Sequence, residues 1–311
     1  MKTYLECIPC FFKQAIEASA LAGASHNAKV KLLNDLASHV ERLSMSKSPP
    51  EMGRTIYRLI KKHTGKKDPF YKVKRHSNEA ALEMYPKLKR KVAHSKDRLL
   101  AAIELAIAGN IIDYGVATGI DVEAEIRRIF NMENRRIKKE SSHLFNYSEF
   151  KRFLNKSGSL LYLGDNSGEI VFDRILIEEI KALYPKKRLT YVVKEKPIIN
   201  DALMADARQC GLDKIVPVIS SGLDTPGTVL SLTSRRFKKA YRDAEAVVSK
   251  GQGNFEALED GGKDIFYLFM AKCQVVARHI GCEVGSIVLY YNKDKLKGPQ
   301  NVHKGIGRAY G

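Results

Sequence analysis

The stretch SLLYLGDNSGEIVFDRILIEEIKALYPKKRLTYVV, residues 159–193, decides the fold. It opens on a short apolar run at 159–163 and turns through Gly164, Asp165, Asn166, Ser167 and Gly168. A helical pattern follows at 169–183, then a second apolar, β-branched run at 189–193. Two short strands bracketing a helix form the unit that joins parallel strands by a right-handed crossover. Runs that are apolar at nearly every position suit strands covered on both faces. The pattern recurs downstream, with candidate strands at 215–219, 246–249 and 286–290 and candidate helices at 200–210 and 228–241. The expected fold class is α/β: a three-layer α/β/α Rossmann-like domain with a mainly parallel sheet, spanning residues 156–311.

Upstream the periodicity changes to three and four, the spacing of amphipathic helices. Helices are expected at 11–22, 29–44, 51–63, 77–88, 95–108, 121–130 and 147–154. Pro49 and Pro50 stand where the third can start. The turn-like, charged TGKKDP at 64–69 marks a boundary. The expected organisation is an N-terminal helical domain at 1–66, a second helical segment at 67–155 and the α/β/α domain at 156–311.

Composition narrows the function classes. With 311 residues, 44% of them hydrophobic, the chain can bury a substantial core. The longest apolar stretch, residues 99–112, is interrupted by Glu104, Gly109 and Asn110, too short and polar to cross a bilayer. The opening MKTYLECIPC lacks the pattern of a signal peptide, so a cytoplasmic protein without a membrane partner is expected. Five cysteines do not suggest a disulfide framework. The net charge of +18 suits a solvated surface, attraction of small anions, or nucleic acid. Nucleic acid ranks last, because basic clusters at 61–75, 135–139 and 235–242 lack grouped stacking aromatics and there is no tryptophan.

In an open α/β sheet, ligands bind outside the carboxyl ends of the strands. Four expected strand ends are followed by polar or glycine-rich segments: GDNSGE at 164–169, NDA at 200–202, SSGLDTPG at 220–227 and KGQGN at 250–254. Asp165, Asn166 and Asp201 offer hard oxygen ligands that suit magnesium or manganese better than zinc. Ser167 and Gly168, opening a helix, would present backbone N–H groups to an anion. Lys250, flanked by Gly251 and Gly253, reads as a mobile cation. One charge pair at ~4 Å is worth about 4 kcal/mol at an effective dielectric of about 20. Phosphate-monoester hydrolysis needs about 20 kcal/mol or more of barrier lowering, so lysine alone falls short and a metal with positional control is required. GQG at 251–253 lacks the third glycine of a dinucleotide fingerprint.

The segments GDNSGEIVFD, NDALMADA, SSGLDTPG and SKGQGN, in this order, resemble the metal-dependent damage-control phosphatases, formerly a family of unknown function. GNIID at 109–113 and the N-terminal CIPC resemble its prokaryotic and archaeal branch. The resemblance implies that Asp165, Asn166 and Asp201 hold magnesium, manganese, cobalt or nickel, and that Lys250 neutralises the phosphate. It also implies that Asn110 and Asp113 close the pocket on the substrate, a small phosphorylated metabolite such as a sugar phosphate or a damaged phosphometabolite. The expected chemistry is attack by metal-activated water, oriented by Asp165 or Asp201. An aspartyl-phosphate on Asp165 competes, but the DxDx[TV] nucleophile signature is missing. One eukaryotic branch is linked to S-adenosylmethionine-dependent carboxyl methylation, a reading that the spacing here does not support.

Secondary candidates are weighed beside blander readings. Asp224 and Thr225 offer hydrogen bonds to substrate hydroxyls or simply form a turn. Asn254 and Gly251 line the pocket by sharing the Lys250 loop. Cys7 and Cys10 read as half of a structural zinc site that Cys273 or Cys282 would complete, a redox pair, or two buried apolar residues. The histidines show no paired spacing and receive no role.

Overall fold

The computed structural model describes residues 1–109, 144–259 and 261–293. The first three helices, α1 (Cys7–Leu21), α2 (His26–Val40) and α3 (Pro49–Thr64), form a bundle with its own core of Phe11, Leu32, Leu36, Met52, Ile56 and Ile60. Helix α3 begins where the prolines predict, behind a Ser48–Glu51 capping box, and stops at Gly65 in the left-handed conformation. Helices α4 (Tyr71–Ala93), α5 (Arg98–Ala108) and α6 (Tyr147–Lys156) follow. The expected helix at 121–130 lies outside the described residues.

The second half alternates as anticipated: β1 (Ser159–Leu163), α7 (Glu169–Leu183), β2 (Arg188–Val193), α8 (Met204–Gln209) and β3 (Val218–Ser220). A 3-10 turn at Leu230–Leu232 precedes α9 (Arg235–Asp243), so the single helix expected there is broken, with Ser234 capping α9. Then come β4 (Ala246–Lys250), α10 (Gln252–Leu258), β5 (Ile265–Met270), α11 (Gln274–Ile280) and β6 (Ile287–Tyr291). The sheet order among the described residues is β3-β2-β1-β4-β5-β6, with β6 alone antiparallel. Beside β6, Phe145 bridges Leu289, and the Asn146 side chain accepts the Tyr291 N–H at 2.9 Å. Strand order reverses between β1 and β4, the switch point where such sheets open a crevice.

Alternation along each strand sends side chains to opposite layers. Leu160, Tyr162, Tyr191, Val248 and Leu268 face α4, α5, α6 and α7, whereas Leu161, Leu163, Val192, Val247 and Tyr267 face α9, α10 and α11. Helix α5 lies along α7, and Gly109 permits it: a Cβ there would come 2.9 Å from Cγ of Phe172. Phe172 is fully buried at this junction. Phe172→Ala is expected to cost about 3–5 kcal/mol through lost burial and a cavity, measured as a lowered denaturant midpoint.

Candidate active site at the strand ends

Two loops meet beyond the carboxyl ends of β1 and β2. Asn166 and Asp201 form an isolated antiparallel bridge. The Ala202 N–H donates to Asp165 O at 2.8 Å, and the Ser167 N–H to Asn200 O at 2.9 Å. Ile199, just before this clip, has φ 44°, a strained value for a β-branched residue. The third element is the end of β4. Gly251 has φ +81°, and a Cβ on it would come 2.1 Å from Asp165 Oδ2, so the Asp165 carboxylate lies directly against the glycine.

Asp165, Asn166 and Asp201 are all buried, as expected of a shared seat. Burial raises the pKa of Asp165, opposed by the positive charges of Lys272, Lys194 and Lys250. Burial also pushes Asp201 well up; Lys194 opposes this, while the neighbouring Asp165 adds to it. Two carboxylates buried against each other destabilise one another's charge and favour a cation between them. Asp201 Oδ2 is buried with no hydrogen-bond partner, its nearest cation being Lys194 Nζ at 3.7 Å. Two carboxylates and an amide are the hard oxygen donors that magnesium or manganese takes. These residues therefore fit a divalent ion, with one buried carboxylate oxygen that takes no hydrogen bond.

Lys250 departs from its expected role. It is completely buried, and its ammonium donates to Ala106 O at 2.8 Å, Glu169 Oε1 at 2.5 Å and Asp173 Oδ1 at 2.7 Å. Burial acts to lower its pKa, but Asp173 and Glu169 outweigh that and hold it above the ordinary lysine value. A lysine whose three protons are all engaged is a fixed strut, not a mobile cation. Burial also pushes Glu169 up to about 7.

The backbone cradle expected at the start of α7 is likewise already filled. The Gly168 N–H donates to Asn78 Oδ1 at 2.7 Å, Glu169 N–H to Ser167 O at 2.8 Å and Ile170 N–H to Asn166 O at 3.3 Å. With the Ser167 N–H on Asn200, none of the backbone N–H groups from Ser167 to Ile170 is left for an anion; the buried Ser167 hydroxyl lacks a hydrogen-bond partner. Asp224 is drawn to α3, its Oδ1 2.6 Å from Arg54 Nε and its Oδ2 3.8 Å from Arg58 Nη2. Thr225 donates to Gly227 O at 2.7 Å, which is turn chemistry. Asn254 does face the centre, donating to Lys250 O at 2.8 Å and Gly164 O at 3.3 Å and accepting from Thr228 at 2.7 Å. Asn110 and Asp113 lie outside the described residues.

Cys7, Cys10 and Cys273 lie near enough for their charges to act on one another. Among the described residues no group of three or more His, Cys, Asp or Glu is arranged to hold a metal. Cys7, Cys10 and Cys273 are free, and burial raises the thiols of Cys7 and Cys10, favouring the protonated form.

Two lysines that sequence reasoning passed over stand at the site. Lys194 directly follows β2, is 4% exposed and approaches Asn254 Oδ1 at 3.4 Å. Lys272 follows β5 on the exposed rim, where its charge acts on Asp165. Strand β5, IFYLFM, is absent from the candidate strands above, and with it went the strand end that carries Lys272. A six-residue apolar run without β-branched character beyond Ile265 reads equally as buried helix.

Fold and site together define a Rossmann-like α/β/α protein with a buried acidic cluster, flanked by lysines, at its switch point. A family model for the damage-control phosphatase ARMT1-like domain matches residues 3–288. The chain is 35% identical to damage-control phosphatase PH1575 of Pyrococcus horikoshii over 300 residues, covering 95% of this chain and all of that protein. It is 37% identical to a damage-control phosphatase of Archaeoglobus fulgidus over 235 residues, 75% of this chain and 79% of the relative. A crystal structure of a DUF89 family protein from P. horikoshii superposes with a TM-score of 0.84 at 32% identity, covering 94% of this chain and 99% of that one. The chain belongs to the damage-control phosphatase ARMT1-like family.

Lys250→Met leaves Glu169 and Asp173 without their cation and is expected to cost about 3–5 kcal/mol of stability. The exposed Lys272→Met should stay within about 0.5 kcal/mol. Paired denaturant titrations of the two variants check the contrast.

Proposed function

We propose that this protein is a divalent-metal-dependent phosphatase acting on small phosphate monoesters, sugar phosphates or damaged phosphometabolites among them. The observation that carries this reading is the meeting of the loops bearing Asp165, Asn166 and Asp201, with Asp201 Oδ2 buried without a hydrogen bond beside Lys194. Membership of the family, and relatives named as damage-control phosphatases, support it. When bound by these three residues, a magnesium, manganese, cobalt or nickel ion would supply Lewis acidity and a nucleophile usable at neutral pH.

The chain's own residues supply binding and orientation. The charges of Asp165 and Asp201 would balance those of a divalent ion, and Lys194 and Lys272 beside them would meet a phosphate. Lys194, buried and held near Asn254 and Asp201, fixes one side of the phosphate; Lys272 draws it in from the rim. Gly251 allows Asp165 to stand between β1 and β4, and Asp201 keeps one oxygen free of hydrogen bonds. Low local dielectric strengthens each of these interactions relative to water.

Hydrolysis of p-nitrophenyl phosphate by the chelated and metal-reloaded protein tests the reading. Manganese, magnesium or cobalt should restore turnover, and Asp165→Ala or Asp201→Ala should lower kcat/KM at least ~100-fold, as lost electrostatic stabilisation does. Turnover indifferent to chelation, or intact in both variants, rejects it.

The raised carboxyl pKa values set a pH dependence. In the metal-free protein the folded state holds protons on Asp165 and Asp201 more tightly than the unfolded chain does. Their contribution to stability is therefore present at acidic pH and lost as pH rises through the folded pKa values. A cation reverses that loss because it needs the ionised forms. The Tm gain on adding manganese is expected to be small at pH 5 and to grow toward pH 8, measured by thermal scanning with and without chelator.

A further inference from the structure

Asn78 stands on α4, 90 positions before Gly168, and is completely buried. Its Oδ1 accepts the Gly168 N–H at 2.7 Å, and its Nδ2 donates to Asp206 Oδ1 and Gln209 Oε1, each at 2.9 Å. Asp206 in turn uses Oδ2 to accept the Leu203 N–H at 2.8 Å, closing the backbone two residues after Asp201. One amide thus grips the end of the Asp165-Asn166-Ser167-Gly168 turn and the segment leaving Asp201. The approach is close: a Cβ on Gly168 would come 3.0 Å from Cβ of Ser77. Gly168 has φ 74°.

We infer that Asn78 is a positioning residue for the cation seat: it sets the distance between the loops bearing Asp165, Asn166 and Asp201 by binding both from a helix outside the α/β/α half of the sequence. The inference rests on the metal-dependent reading. The two loops are otherwise joined by their mutual backbone bonds, Ser167 to Asn200 and Ala202 to Asp165, and held to the end of β2 by the Lys194 N–H on Ala202 O, all on the sheet side. Asn78 ties that pair to a third body. Its chemistry suits the task, because a buried amide donates and accepts at once. An aliphatic side chain would fill the volume but strand the Gly168 N–H and one Asp206 oxygen away from water, a cost the surrounding loops relieve by moving. Groups that orient metal-binding residues change metal affinity by roughly 10- to 100-fold when removed.

The test measures manganese binding directly, by electron paramagnetic resonance of free Mn2+ titrated with the full-length chelated protein. Wild type, Asn78→Ala, Asn78→Asp and Leu88→Ala are compared. Asn78→Asp keeps the volume and the acceptor for Gly168 while losing the donors to Asp206 and Gln209, so it carries the test alone if Asn78→Ala fails to fold. Leu88, buried on the same helix at 4% exposure, serves as the control for lost packing. The expected result is a Mn2+ dissociation constant raised roughly 10-fold or more in the Asn78 variants, with kcat recovered to within a few-fold at saturating Mn2+. Leu88→Ala should lower Tm and leave Mn2+ affinity unchanged. Wild-type affinity in a folded Asn78 variant, or equal weakening by Leu88→Ala, overturns the positioning role while leaving the metal-dependent reading intact. Failure of the wild-type protein to bind Mn2+ overturns that reading and the inference with it.

Discussion

A fully buried ammonium group governs how this molecule is assembled. Lys250 reaches from the end of β4 to the last turn of α5 and to two carboxylates on the first turns of α7. Asp173 is held from the other side by the hydroxyls of Tyr162 and Tyr191, which stand on β1 and β2. Three strands and two helices are thereby fixed by one fully satisfied polar network. Such a network tolerates no half measures, because a buried ion missing one partner is strongly destabilising, whereas the complete set specifies one geometry. The carboxylates of the pocket inherit their position from it: Asp165 follows β1, and Gly251, against which it lies, follows Lys250.

The network also explains where sequence reasoning succeeded and where it stopped. Parallel strands buried on both faces leave an unmistakable imprint, and residues 159–193 carry it; the three-layer fold follows from repetition. The pairing of Asp165 with Asp201 was legible because both follow apolar runs in an architecture that gathers strand ends. What was not legible is which polar groups those ends leave free. Lys250 and the N–H groups around Gly168 have the composition of a phosphate cradle, yet they are already engaged, Lys250 and the Gly168 N–H by residues distant in sequence, Ala106 and Asn78. Periodicity reports burial and says nothing of a side chain's partner. Lys194 and Lys272 were hidden for different reasons: the first is a single cation after a strand whose notable residues come later, the second follows a strand whose aromatic run mimics helix.

The helical half is part of the site's construction. Asn78 binds the turn after β1, Arg54 and Arg58 take the Asp224 carboxylate, and a Cβ on Gly53 would come 2.8 Å from Pro226. Helices α3 and α4 thus close over the strand ends from one side. Helix α4 also shares its core with α5, α7 and one face of the sheet. Segments distinguished by sequence periodicity are thereby fused physically at the pocket.

The margins of the sheet have a consequence for the protein in a crowded cell. An open sheet offers unpaired N–H and C=O groups to any extended chain that passes, and long edge strands invite stacking into fibrils. Here β3 spans three residues, too few to template a stable partner, and the side chain of Asn146 already occupies the Tyr291 N–H on β6. Among the described residues both flanks are thus blunted by geometry, one by brevity and the other by a side chain that takes the place of a neighbouring strand's carbonyl.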